Sequence, residues 1–224
     1  MKSDLEQAFW AAVDAAHPRK VMAAHLPDRP ANTPYVFAVG KAAGPMAEEV
    51  EAVWGKGVQG MVIAPHGAQV SLKSLELRTA AHPFPDQQGA ASASALLRRL
   101  QVVPEGADVL FLLSGGASSL LLAPEEGPTP EVLKQATKAL LNGGADIHEL
   151  NTVRRVLSPL LGGGAAAACK GNLQTLAISD VVGDEPIAIG SGPTVANPTG
   201  RAEAAALLRK YGGGSPDILT WIDQ

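Results

Sequence analysis

The sequence is poor in residues that would announce a specialised chemistry. Cys169 is the single cysteine among 224 residues, so an intrachain disulfide and a cysteine metal cluster are both excluded. Aromatic residues make up only 4%, which leaves alanine, leucine and valine to fill a core. Lys and Arg number 18 against 22 Asp and Glu, a formal charge of −4, and there is no long basic run. That balance speaks against nucleic acid and anionic membrane surfaces as partners. No stretch reaches the roughly 18 apolar residues of a membrane span. Met1–Trp10, with Asp4 and Glu6, lacks the apolar centre of a signal peptide. The expectation is a cytoplasmic protein. The GxxxxGK[ST] phosphate loop and the GxSxG nucleophile elbow are also missing.

What is present is a globular α/β pattern. Hydrophobic residues reach 46%, and short apolar runs alternate with helical periodicity. Expected strands are Tyr35–Val39, Met61–Ala64, Leu75–Ala80, Val109–Leu113 and Gln174–Ile178. Expected helices are Ser3–His17, a segment from Gly44 to about Trp54, Gln87–Leu100 capped by Asp86, and Thr129–Asn142 capped by Thr129. Another is capped by Asp146 and carries Asn151, Arg154 and Arg155, and the last is Ala202–Lys210. A short tail to Gln224 completes the chain. This alternation predicts one α/β domain over residues 1–224 with a mostly parallel sheet.

The chain is organised around Asp108–Ala123, a buried strand that opens into Ser114, Gly115, Gly116, Ala117, Ser118 and Ser119. Glycine lets backbone approach a ligand, and the serine hydroxyls are expected to add donors. A plain strand-to-helix turn fits the same residues equally well. Lys41 follows the Tyr35–Val39 strand directly, at a helix start, where open α/β sheets bind ligands and a lysine can neutralise phosphate. Asp180 and Asp184 follow the Gln174–Ile178 strand. Asp180 is the better metal-ligand candidate, because Mg²⁺ in phosphoryl-transfer sites is held by one or two carboxylates plus phosphates. Gly190, Ser191, Gly192 and Thr194 form a second small-residue loop. His82 is either a substrate-orienting group or a histidine satisfied by backbone. Gly55–Gly60 matches GxGxxG, but it follows a helix and opens a strand, which is the wrong context for a dinucleotide fingerprint.

These motifs together resemble the glycerate 2-kinase family, some members of which carry the label hydroxypyruvate reductase. The matching residues are VGKAAGPMA at 39–47, AAHPFPD at 80–86, LLSGGASSLL at 112–121, GADIHELNTVRRVLS at 144–158 and ISDVVGDEPIAIGSGPT at 178–194. The resemblance implies a Rossmann-like three-layer N-terminal domain followed by a second α/β domain, with the active site between them. It also implies ATP- and Mg²⁺-dependent phosphorylation of D-glycerate at the 2-hydroxyl. By the same resemblance, Lys41 is the catalytic lysine near the transferred phosphate, and Asp180 has a metal or catalytic role with Asp184 beside it. Ser114, Gly115, Gly116, Ser118, Ser119, Asn151, Arg154, Gly190, Ser191, Gly192 and Thr194 form the nucleotide and substrate loops.

Two departures stand out. Where the family pattern reads VRKHLS and KGGRLA, this chain has Val153–Ser158 and Leu161–Ala166, without the histidine, lysine and arginine. The family's second domain is also expected to begin where this chain stops, which predicts an inactive chain that self-associates or takes a partner domain. The alternatives are an NAD(P)-dependent hydroxypyruvate reductase and a non-catalytic ligand-binding remnant.

Overall fold

A computed structural model describes residues 2–122 and 127–223. Met1, Ala123 and Gln224, which belong to the first, central and last segments of the sequence reading, lie outside the described residues. The expected strands all form: β1 (Tyr35–Val39), β2 (Gln59–Pro65), β3 (Glu76–Ala80), β4 (Asp108–Ser114) and β5 (Asn172–Ile178). They pair in the order β3-β2-β1-β4-β5, and every pairing is parallel. "Mostly parallel" is therefore fully parallel among the described strands.

The reason lies in strand composition. Val36 and Ala38 pack on one face with Val62, Leu110 and Leu112. Phe37 and Val39 pack on the other with Met61, Ile63, Phe111 and Leu113. Strands that are apolar on both faces need helices above and below, which is the arrangement of a parallel sheet. Helices α2 (Pro18–Val21) and α3 (Ala43–Trp54) cover the first face. The second face lies under α4 (Gln87–Gln101), α5 (Ala117–Leu120), α6 (Pro130–Asn142), α7 (Ile147–Leu157), α8 (Gly164–Ala168), α9 (Arg201–Lys210) and α10 (Pro216–Asp223). The result is a three-layer α/β sandwich.

The caps follow the sequence. Asp86 accepts from Gly89 N–H at the start of α4 at 2.7 Å, and Asp146 and Glu149 close a capping box on α7. The β2–β3 crossover has no helix. It is held by the buried Glu51 of α3, whose carboxylate accepts from the backbone N–H of Lys73, Ser74 and Leu75 at 2.6–2.9 Å. Helix α10 lies within the short tail, for which the sequence reading gives no element; Ile218 and Ile222 bury it against the core. The N-terminal helix α1 (Lys2–Ala15) exposes Leu5, Phe9, Trp10 and Val13.

Candidate functional site

β1 and β4 are neighbours, yet β1 leads across the sheet to β2 while β4 leads the other way to β5. Such a reversal opens a crevice at the C-terminal strand ends. Here the two ends touch. Gly40, at φ +128°, has room for no side chain: a Cβ there would lie 2.2 Å from Ser114 Oγ. Ala42 N–H donates to Ser114 Oγ at 3.0 Å, and Lys41 N–H donates to the Gly115 carbonyl at 2.9 Å. Ser114 thus works beneath the site, joining strand ends, and does not line the cleft.

Above this junction is a cleft of about 560 Å³ whose lining includes Lys41, His82, Gly116, Ser118, Ser119 and Asn151. Arg154, Asp180, Glu185 and Gly190 also face it. Each glycine is there for a reason. A Cβ on Gly115 would sit 2.0 Å from Asp180 Oδ2, so the carboxylate rests on bare backbone. Gly116, at φ +88°, carries Lys41 Cγ and the His82 ring, each about 3.1 Å from where its Cβ would be.

The charges of the cleft are unpaired within the protein. Among the described residues the side chains of Lys41, Arg154 and Asp180 have no hydrogen-bond or ion-pair partner, and Arg154 Nε is buried without one. Burial pushes the Arg154 guanidinium down to about 10, which leaves it a cation at neutral pH. Burial, then the nearby charges of Lys41 and Arg154, lower the His82 pKa against the opposing pull of Asp180. Both causes favour the neutral imidazole.

Beneath the cleft floor lies a buried polar chain. Ser191 Oγ is 2.9 Å from Asn151 Oδ1 and 2.8 Å from Ser118 Oγ, and Asn151 Nδ2 faces the Ala188 carbonyl at 3.5 Å. Ser191 holds φ +61° although it is not glycine, a conformation that persists only where the surroundings enforce it. The enforcement is visible. The Gly162 and Gly163 N–H groups donate to the carbonyls of Ser191 and Gly192 at 3.0 and 2.7 Å. Gly162–Ala166, where the family pattern departs, therefore grips the Ser191 loop from behind.

The sequence candidates divide accordingly. Lys41, Gly116, Ser118, Ser119, Asn151, Arg154, Asp180 and Gly190 line one cleft, with Gly115 and Ser191 directly beneath it. Asp184 and Thr194 line a different cavity, of about 590 Å³, on the other side of the β5 end. Thr194 there accepts from Thr175 Oγ1 at 2.8 Å. Gly192, at φ +60°, ends the 3-10 turn Ile189–Ser191 and lines neither cavity. Asp180 and Asp184 thus face separate cavities. No cluster of three or more His, Cys, Asp or Glu able to hold a metal occurs among the described residues.

Arg155 turns away from the cleft; its guanidinium binds the Thr152 and Thr199 hydroxyls at 3.1 and 3.3 Å. The sequence reading missed Ile147, His148 and Glu185 as lining residues. A helical-face count along α7 from Ile147 through Asn151 to Arg154 carried the signal for the first two. Gly55–Gly60 runs from the end of α3 into the start of β2, at the opposite end of the strands, where Arg29 donates to the Trp54 and Lys56 carbonyls at 2.6 and 3.0 Å.

Residues 4–222 match the family described as "Domain of unknown function (DUF4147)". A relative from Agrobacterium vitis, named provisionally as a hydroxypyruvate reductase, is 40% identical over 95% of this chain and 49% of its own length. The "Glycerate 2-kinase" of Pyrococcus horikoshii is 42% identical over 79% of this chain and 40% of its own length. The crystal structure of glycerate kinase from Thermotoga maritima superposes with a TM-score of 0.85 at 35% identity, covering 96% of this chain and 53% of the other. The chain therefore spans about half the length of the relatives it matches. With its motifs, its fold and nearly all of its length accounted for in this way, the chain belongs to the glycerate 2-kinase family.

Proposed function

We propose that this chain forms the phosphoryl- and substrate-binding wall of a kinase that phosphorylates D-glycerate at its 2-hydroxyl. The observation that carries the reading is the pairing of two unpartnered cations, Lys41 and Arg154, with Asp180 in one cleft at the sheet's switch point. A buried cation without a counterion is costly unless a ligand supplies one. Glycerate carboxylate and nucleotide phosphate are both suited to that role. Bound ATP supplies the phosphoryl group, and Mg²⁺ neutralises charge on its phosphates.

The residues present suit that chemistry. Asp180 rests on Gly115 with no donor on its oxygens among the described residues, so it is free to hold Mg²⁺ alongside phosphate oxygens. Asp184 is left out of this role because it faces the other cavity. Lys41 contributes a point charge toward the transferred group, and Arg154 a planar fork suited to carboxylate. The neutral His82 keeps a lone pair in the cleft without competing for the anion.

Turnover is proposed to need the half of the longer relatives that this chain does not match, because holding two substrates in line requires a second wall. The exposed apolar face of α1 supports the accompanying proposal that the chain alone self-associates in a cytoplasmic setting. A coupled ADP assay with D-glycerate, ATP and Mg²⁺ tests the reading, run on the chain alone and with the second half of a family member added. Turnover only in the mixture is expected. Full turnover by the chain alone would refute the two-wall proposal, and none in either case would refute the substrate assignment.

A further inference from the structure

The polarity of the buried chain under the cleft can be worked out from its acceptors. The Ala188 carbonyl can only accept, so the Asn151 group facing it at 3.5 Å is the amide NH₂. That pins Asn151 Oδ1 toward Ser191, whose hydroxyl must donate across the 2.9 Å contact. Ser191 has one proton and has now used it. The proton in the 2.8 Å contact between Ser191 and Ser118 therefore comes from Ser118. Reversing any link leaves two lone pairs facing each other in a buried site, or sets the Asn151 carbonyl against that of Ala188, and both are costly. Ser119 also donates inward, to the Gly116 carbonyl at 3.1 Å. The loop is thus not the bank of hydroxyl donors that its composition suggests: Ser118 and Ser119 present lone pairs to the cleft.

We propose that Ser118 is the subsite for a ligand hydroxyl, accepting its proton in a hydrogen bond, and takes no part in binding phosphate. A phosphate oxygen at Ser118 would meet lone pairs. An uncharged hydroxyl, which can donate its proton to one of them, meets no such objection. Asn151 and Ser191 are positioning residues that fix the direction of the Ser118 proton. The identity of the hydroxyl-bearing ligand as a short hydroxy acid rests on the proposed glycerate reading; the preference for a hydroxyl rests on the proton count.

Calorimetry on the full chain tests this. The probes are D-glycerate, D-lactate (no 3-hydroxyl), 3-hydroxypropionate (no 2-hydroxyl), inorganic phosphate and Mg²⁺ alone. Ser118→Ala is expected to weaken D-glycerate about 3–10-fold, the loss of one hydrogen bond. It should leave untouched whichever analogue lacks the engaged hydroxyl, and leave phosphate and Mg²⁺ unchanged. Ser191→Ala frees the Ser118 proton and should tighten phosphate while weakening D-glycerate. Equal weakening of all three acids by Ser118→Ala, or any loss of phosphate or Mg²⁺ binding, overturns the proposal.

If the wild-type chain binds phosphate but none of the hydroxy acids, the glycerate reading falls and the polarity is judged on phosphate alone. Tightening by Ser191→Ala then supports it, and weakening by Ser118→Ala overturns it. Should Ser191→Ala melt early, the response of phosphate to Ser118→Ala decides.

Discussion

Gly115 and Asp180 meet where the ends of β4 and β5 converge, and a methyl group at 115 would lie 2.0 Å from Asp180 Oδ2. The glycine is thus a seat for a carboxylate that carries no protein hydrogen bond among the described residues. Seat and carboxylate come from adjacent parallel strands, in which Ser114 pairs with Ile178, so the placement is built into the register of the sheet.

Gly115→Ala should therefore displace Asp180 while leaving the core intact, because the three atoms nearest the added methyl all belong to the Asp180 carboxylate. Mg²⁺-dependent nucleotide binding should weaken as much as it does in Asp180→Asn, with Mg²⁺-free binding little changed in both. Titrations with and without Mg²⁺ check this. Equal losses with and without the metal would remove Asp180 from any metal role.

The Lys41 side chain is exposed to the cleft and has no hydrogen-bond or ion-pair partner among the described residues, so its loss should cost function and not stability. In a complete enzyme Lys41→Ala is expected to lower turnover by roughly 10²–10³-fold, the usual worth of one electrostatic group at a transition state. The melting temperature should stay within a degree or so of wild type. Wild-type turnover in the variant would exclude the lysine from the reaction.

Strands β1, β2, β4 and β5 are legible in the sequence because each is a short, mainly apolar run ending at glycine, proline or serine; β3, with Glu76 and Arg78, shows only alternation. The caps are legible because Asp86, Thr129 and Asp146 have few other uses at a helix start. The strand order is less legible: nothing local in Val109–Leu113 says that it pairs with Tyr35–Val39. Lys41, Arg154 and Asp180 are findable as strand-end or helix-face residues. The separation of Asp180 from Asp184 is not, because it depends on the turn that ends in Asp184 at φ +52°. The direction of a serine proton is set by acceptors far along the chain, Asn151 and Ala188, so Ser118 reads as a donor until those are in place. Arg154 and Arg155 are adjacent and chemically identical, and only packing sends one to the cleft and the other to Thr199.

Glu51 offers a test of the scaffold. Its buried carboxylate accepts from the backbone N–H groups of residues 73–75 and so stands in for the helix that the β2–β3 crossover lacks. Glu51→Ala leaves those donors without partners and should destabilise the chain by about 2–4 kcal/mol, given roughly 1–3 kcal/mol for each orphaned buried group and partial rescue by water. Glu51→Gln keeps the volume and one acceptor and should cost less. Urea midpoints for both variants check the order; an Ala variant as stable as wild type would show that the loop holds itself.

The last test concerns how α7, the helix that carries Asn151 and Arg154, is held against α9. Glu149 on α7 accepts from Lys210 Nζ at 2.7 Å, from the Tyr211 hydroxyl at 2.6 Å and from Asp146 N–H at 3.1 Å. The Lys210 hydrogen bond, then those of Tyr211 and Asp146, bring the Glu149 carboxyl down to about 2. A folded pKa below the unfolded value near 4.3 means that the unfolded chain binds more protons through the acid range. The clamp's contribution is therefore complete above about pH 4.5 and is lost as pH falls toward 2. Lys210 shifts the opposite way, upward, through the same pair, so its share is complete below its unfolded pKa and is lost only in strong alkali. Glu149→Gln removes the charge and keeps the shape. Its melting temperature should lie below wild type at pH 7, and the gap should narrow as both are taken from pH 5 to pH 2, since the carboxyl is then protonated in the unfolded wild type and about half protonated in the folded one. Because other acids titrate equally in the two proteins, the gap isolates Glu149. A gap that stays constant across that range would mean that the clamp acts through packing alone, and the charge on Glu149 would have no part in holding the site's helix.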